Sequence, residues 1–176
     1  MATLYETWLN RIDSYYEERY YEPVIEALCQ YHGGSVDGRD GKGKIFNAGY
    51  EVFIYAFFLG LYYGERTPLE GPRRKFRMEM YTWGRKSTET GRKDYTLIQK
   101  YIFAALIAKS TIDLLAVDKG DLSLDDACDI LMQTLNEYAN TGFQQLLPPG
   151  KDEIDSKLFE NTGLLDIIRN YCGLTV

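Results

Sequence analysis

Residues 45–63 read IFNAGYEVFIYAFFLGLYY, and this stretch decides the fold. Its second half is apolar on nearly every side, and a helix of that kind is buried rather than amphipathic. The reading therefore places it at the centre of the molecule. The most apolar window, 52–63, is too short to cross a bilayer, which takes roughly 20 residues, and Asn47 and Glu51 lie in its N-terminal extension. Gly64, Pro68, Gly71 and Pro72 end the helix.

Toward the N-terminus, Leu9, Ile12, Tyr16 and Tyr20 recur at steps of three and four, with Trp8 and Tyr15 widening the stripe, so an amphipathic helix is expected over 3–21. Pro23 breaks or restarts it. A short helix over 24–31 then stops at Gly33-Gly34, where glycine accepts a left-handed cap. Residues 35–44, with five charged residues and three glycines, read as a loop.

Toward the C-terminus, Phe76, Met78 and Met80 alternate with Lys75, Arg77 and Glu79, a period of two that predicts a short strand or extended arm over 73–81, followed by a turn at 84–91. The helical period returns over 94–117, with Ile98, Ile102, Ala105, Leu106 and Ile112 inward and Lys109 and Asp113 placed to pair outside. Ser123 and Asp126 approximate a capping box that starts a helix over 124–147, closed by Pro148-Pro149-Gly150. Two last short helices are expected over 153–160 and 164–171, the second capped by Thr162. The sum is an all-α domain spanning 1–176, with about six helices around a central one and one short β-hairpin or extended arm near 73–83.

Composition agrees with one domain. The chain's 176 residues, 45% hydrophobic and 26% charged, suffice for a core without metal or disulfide support. Cys29, Cys128 and Cys172 are odd in number and far apart, which argues against a disulfide framework and for a reducing compartment. Residues 1–10 lack a basic leader, so a cytoplasmic location is expected.

Chemical motifs fail one by one. The run Gly38-Arg39-Asp40-Gly41-Lys42-Gly43-Lys44 has P-loop spacing, but Ile45 stands where Ser or Thr must coordinate magnesium, and no buried strand precedes it. His32 with Cys29 supplies at most half a zinc site. Glu18, Glu22 and Glu26, like Asp121, Asp125 and Asp129, are spaced by four, yet a single histidine excludes a di-iron bundle. No catalytic residue, cofactor or metal is therefore expected. A small hydrolase using acidic residues is the third-ranked reading.

Charge is sorted along the chain. Residues 71–110 hold 10 Lys and Arg against 3 Asp and Glu, while residues 111–176 hold 4 against 12, within an overall charge of −6. Arg73, Arg74, Lys75, Arg77, Arg85, Lys86, Arg92 and Lys93 interleave with aromatic residues, so they could track a phosphate backbone while Trp83 stacks on bases. The 15 tyrosines favour half-exposed interfaces, with Tyr5, Trp8, Tyr15 and Tyr20 the candidate anchors. The leading expectation is a non-catalytic helical binding module, an accessory subunit of a bacterial multi-protein assembly. It would use the tyrosine-rich helix and the basic arm to bind a protein partner or a second copy of itself. Nucleic-acid-backbone binding through 73–93 is the alternative.

The stretch from Glu51 to Tyr63 running into Thr67-Pro68-Leu69 resembles the hydrophobic helix of small accessory proteins of bacterial DNA-sulfur-modification systems. The resemblance spans fewer than twenty residues. It implies a DNA-binding accessory protein of modification or defence type and carries over no residue roles.

Overall fold

The computed structural model describes residues 2–29, 45–76, 78–86 and 94–147. The fold is mainly helical, with one two-stranded antiparallel ribbon. In chain order the elements are α1 (Leu4–Leu9), β1 (Tyr15–Glu17), a 3-10 turn (Glu18–Tyr20), a π-helical turn (Tyr21–Glu26), α2 (Gly49–Tyr63), β2 (Arg73–Lys75), α3 (Met80–Gly84), α4 (Thr96–Lys109), α5 (Leu114–Lys119) and α6 (Leu124–Leu146). The expected loop at 35–44, the C-terminal helices over 153–160 and 164–171, and His32 and Cys172 lie outside the described residues.

The centre is the crossing of α2 on α6. Val52, Phe53, Ala56 and Phe57 of α2 and Leu131, Leu135, Ala139 and Phe143 of α6 are all buried. Two glycines set how closely the helices approach. A Cβ on Gly60 would lie 1.9 Å from the Tyr138 carbonyl oxygen, and one on Gly142 would lie 1.8 Å from that of Ala56. Only residues without a Cβ let the backbones meet there. The pairings of Gly60 with Tyr138 and of Ala56 with Gly142 also make the two helices antiparallel.

Capping chemistry fixes the helix starts. Ser123 Oγ accepts the Asp126 N–H at 3.1 Å and donates to Asp126 Oδ2 at 2.6 Å, so α6 begins where the sequence placed it. α1 carries a full capping box between Thr3 and Glu6. Gly64, at φ 73°, ends α2 in the left-handed conformation. Asp113 does not share a helix face with Lys109 as expected. α4 stops at Lys109, and Asp113 caps α5 by accepting the N–H groups of Leu115 and Ala116, both at 3.0 Å.

The largest departure from expectation is the N-terminal segment. Instead of one helix over 3–21, α1 ends after Leu9 and the chain straightens into β1. A distant side chain causes this. Asn136 of α6 accepts the Tyr15 N–H at 2.9 Å and donates to the Asp13 carbonyl at 3.0 Å, so its amide satisfies backbone groups as a neighbouring strand would. β1 then pairs with β2 in the register Tyr15 to Lys75, Tyr16 to Arg74 and Glu17 to Arg73. The expected strand near 73 is thus real but short, ending at Lys75, and α3 begins at Met80, within the expected 73–81 arm. Pro23 falls in the first turn of the π-helical segment, where a missing N–H costs nothing.

Candidate functional site

Among the described residues, three surfaces stand out: a basic ribbon, the polar cleft beside it, and an apolar helix face. The ribbon carries the cations that the sequence singled out. Arg73 and Lys75 are exposed and, being alternate residues of β2, leave on one side; Arg73 Nη2 donates to the Leu69 carbonyl at 2.8 Å, and the Lys75 Nζ lies 6.0 Å from the Tyr15 ring centroid. Arg74 leaves on the other side and is engaged. Its Nε and Nη2 donate to Glu18 Oε1 at 3.1 and 2.9 Å, and its guanidinium sits 3.9 Å from the Tyr21 ring centroid. Arg85 and Lys86 are exposed after α3, with Arg85 4.5 Å over the Tyr81 ring. Arg77, Arg92 and Lys93 lie outside the described residues.

Trp83 is a correction. It is 1% exposed and wedged among Tyr50, Phe53 and Phe76 at ring separations of 5.5 to 5.7 Å, so in this fold it cannot stack on a base. α3 turns that ring inward, because the helix rather than the expected extended arm sets its direction. The tyrosine-rich surface needs the same correction. Trp8 and Tyr20 are completely buried, Trp8 against Phe103 and Tyr20 stacked on Phe143 at 5.2 Å, and they serve the core. Tyr5 and Tyr15 are half-buried and keep part of their rings at the surface.

The cleft, about 410 Å³, opens between the start of β1, residues 68–73 and the outer side of α6. Arg11 lies between Asp13, 2.5 Å away, and Asp129. Glu137 receives Arg66 at 2.7 Å and the Gln133 amide at 2.8 Å. Each carboxylate lining the cleft is therefore held by an arginine, an arrangement suited to shape and recognition rather than to moving a proton. Beneath it, buried Glu17 accepts from the Glu70 N–H at 3.0 Å and the Asn140 amide at 3.1 Å, and pairs with Arg19 at 2.6 Å. This cluster holds the 65–72 connection onto α6.

Among the described residues no group of three His, Cys, Asp or Glu is placed to hold a metal ion. Cys29 and Cys128 are free and buried. Burial pushes the Cys128 thiol up to about 11, so it is not a nucleophile at neutral pH. Among those residues, no helix is long and apolar enough to cross a membrane.

The third surface was not anticipated. The inward side of α4 is as read from sequence: Ile102 and Leu106 are buried, and Ile98 and Ala105 pack against the core. Yet Leu97 is 62% and Tyr101 58% exposed, with Ala104 and Ala108 also exposed, and α5 adds Leu114 at 47% and Leu115 at 61%. Positions 97, 101, 104 and 108 form a second apolar stripe, opposite the first. The sequence signal was available, because a helix apolar on two faces needs two things to pack against.

Compared with protein-family models, with curated proteins and with solved structures, the chain matches none. The resemblance of the stretch from Glu51 to Leu69 to DNA-modification accessory proteins gains no support there.

Proposed function

We propose that this chain is a non-catalytic helical binding module that docks a protein through the outer face of α4 and α5, in the setting of an accessory subunit of a larger bacterial assembly. The observation that carries this reading is the exposure of Leu97 at 62% and Tyr101 at 58% on one side of α4, in line with exposed Ala104 and Ala108, with Leu114 and Leu115 exposed on the next helix. Scattered apolar residues at a surface are ordinary, whereas an apolar stripe running along one side of a helix has a free-energy reason to be covered. Tyrosine and leucine also suit the centre of an interface, where an aromatic ring anchors and charge is scarce.

Nucleic-acid binding stays the alternative, supported by exposed Arg73, Lys75, Arg85 and Lys86. It is weakened by the burial of Trp83 and by the engagement of Arg74 with Glu18. The two readings separate on co-isolation of the full chain from its own cells. Tyr101→Glu with Leu115→Glu should lose the bound protein, while Lys75→Glu with Arg85→Glu should keep it. Retention by the first pair, or nucleic acid that is carried by the wild type and lost only with the second pair, would reverse the conclusion.

A further inference from the structure

We propose that the outer edge of β2 docks an extended segment of a partner protein that carries acidic residues at alternate positions, a site separate from the α4 face. The Phe76 N–H donates to the Ser14 carbonyl at 3.3 Å, and the Glu18 N–H to the Pro72 carbonyl at 2.7 Å. In the register that sets Tyr16 opposite Arg74, these bonds make Ser14 with Phe76, Tyr16 with Arg74 and Glu18 with Pro72 the hydrogen-bonded pairs of the ladder. Tyr15 and Glu17 therefore turn their N–H and C=O groups away from β2, while Arg73 and Lys75 turn theirs away from β1. The Tyr15 N–H fits this phase, since it donates to Asn136 of α6. The β1 edge is thus covered by a side chain. On the β2 edge no described backbone group meets Arg73 or Lys75, and both residues are exposed. Two N–H and two C=O groups face outward there, the template onto which an extended chain adds as a third strand.

Side-chain charge selects the occupant. Arg73 and Lys75 leave the ribbon on one side, and residues of an added strand directly opposite them leave on that side too. Arg11, Arg19, Arg66 and Arg74 each hold a carboxylate. Among the described residues, Arg73 instead reaches the Leu69 carbonyl and Lys75 the Tyr15 ring, so neither cation is neutralised. Carboxylates two residues apart on the incoming strand would meet both. The same charges oppose a second copy of this chain, whose own β2 would bring Arg73 and Lys75 against their like. Nucleic acid suits the cations but not the edge, because a phosphate backbone offers acceptors and no donors for the outward carbonyls of Arg73 and Lys75.

The probe is a peptide with blocked ends, Thr-Glu-Val-Glu-Val-Glu-Thr, titrated into the isotope-labelled full chain. A three-residue edge makes a small, transient contact, so the titration runs to about 2 mM. With a Kd of about 1 mM or below, exchange of the Arg73 and Lys75 amide protons should slow at least about threefold at the end point. N-methylating the glutamates removes the donors that face the edge carbonyls and should abolish this slowing. N-methylating the valines, whose N–H groups face away, should leave it intact. Arg73→Glu with Lys75→Glu, both at exposed positions, should weaken binding by about tenfold, and the peptide with lysine in place of glutamate should bind that double variant instead. Such a rescue requires a folded edge. The inference is overturned by unchanged exchange at both amides, by binding indifferent to N-methylation of the glutamates, or by a lysine peptide that binds the wild type equally. An oligothymidylate that slows the same two amides as well as the peptide does would overturn it in favour of nucleic acid. A contact this weak is lost during isolation, so co-isolation reads the α4 face and this titration the β2 edge.

Discussion

Replacing Gly142 by alanine separates two opposed effects. In the interior of α6, alanine is the better helix former by about 1 kcal/mol, so propensity alone predicts stabilisation. Packing predicts the reverse. The new Cβ would lie 1.8 Å from the Ala56 carbonyl oxygen and 2.5 Å from its carbonyl carbon, against an ordinary contact of 3.4 to 4 Å. The obstacle is backbone, which cannot turn aside, so the two central helices must separate by on the order of 1.5 Å where the core is densest. Overpacking costs typically 1 to 3 kcal/mol and sometimes more, and this case belongs at the upper end. After the propensity gain, a net loss of about 2 kcal/mol remains, or a fall in Tm of roughly 4 to 8 °C for a chain of this size. Thermal melts and urea titrations followed by circular dichroism read both quantities. Gly60→Ala, which strikes the Tyr138 carbonyl in the same crossing, should cost a similar amount, and the double variant should cost less than the sum because the helices need part only once. A Gly142→Ala chain as stable as wild type would refute the close approach of α2 and α6.

Trp83→Ala should cost about 3 to 5 kcal/mol, as a buried ring would, and Trp83 fluorescence should resist aqueous quenchers; a near-neutral change in denaturant midpoint would put the ring back at the surface. Ser123→Ala removes the oxygen that holds the Asp126 N–H and should destabilise by about 1 kcal/mol, with Ser123→Asp retaining most of the stability. Cys128 favours its neutral thiol in the fold, which binds more protons there than in the unfolded chain. Stability should therefore fall as pH rises from the ordinary thiol value of 9.0 towards about 11, and Cys128→Ser should flatten that slope; a slope unchanged by the substitution would assign it elsewhere.

The parts of the fold legible in sequence are those written in local periodicity and capping. The helix in 45–63 is apolar all round, the helix in 124–147 opens on Ser123 and Asp126, and both kinds of signal involve residues within a turn or two of each other. What was not legible depends on distant partners. Tyr16 and Tyr20 fit a helical stripe, yet the Asn136 amide, more than 100 residues away in sequence, draws the segment from Asp13 to Glu17 into a strand. The basic residues were visible as a cluster, but burial of Trp83 and engagement of Arg74 follow from α3 and from Glu18, neither of which spacing discloses. The α4 face was overlooked for a different reason. The stripe Ile98, Ile102, Ala105 and Leu106 accounts for a core-facing helix on its own, so Leu97 and Tyr101 add nothing that a one-sided helix requires.

The docking face is tested most directly by placing a photoreactive phenylalanine analogue at position 101 of the full chain, in the cells that make it, with position 81 as the exposed aromatic control. Illumination should yield a discrete protein adduct from position 101 and little from position 81, and the adduct's peptides identify the occupant. Absence of any protein adduct at 101, or nucleic-acid adducts at 81 in its place, would contradict the account.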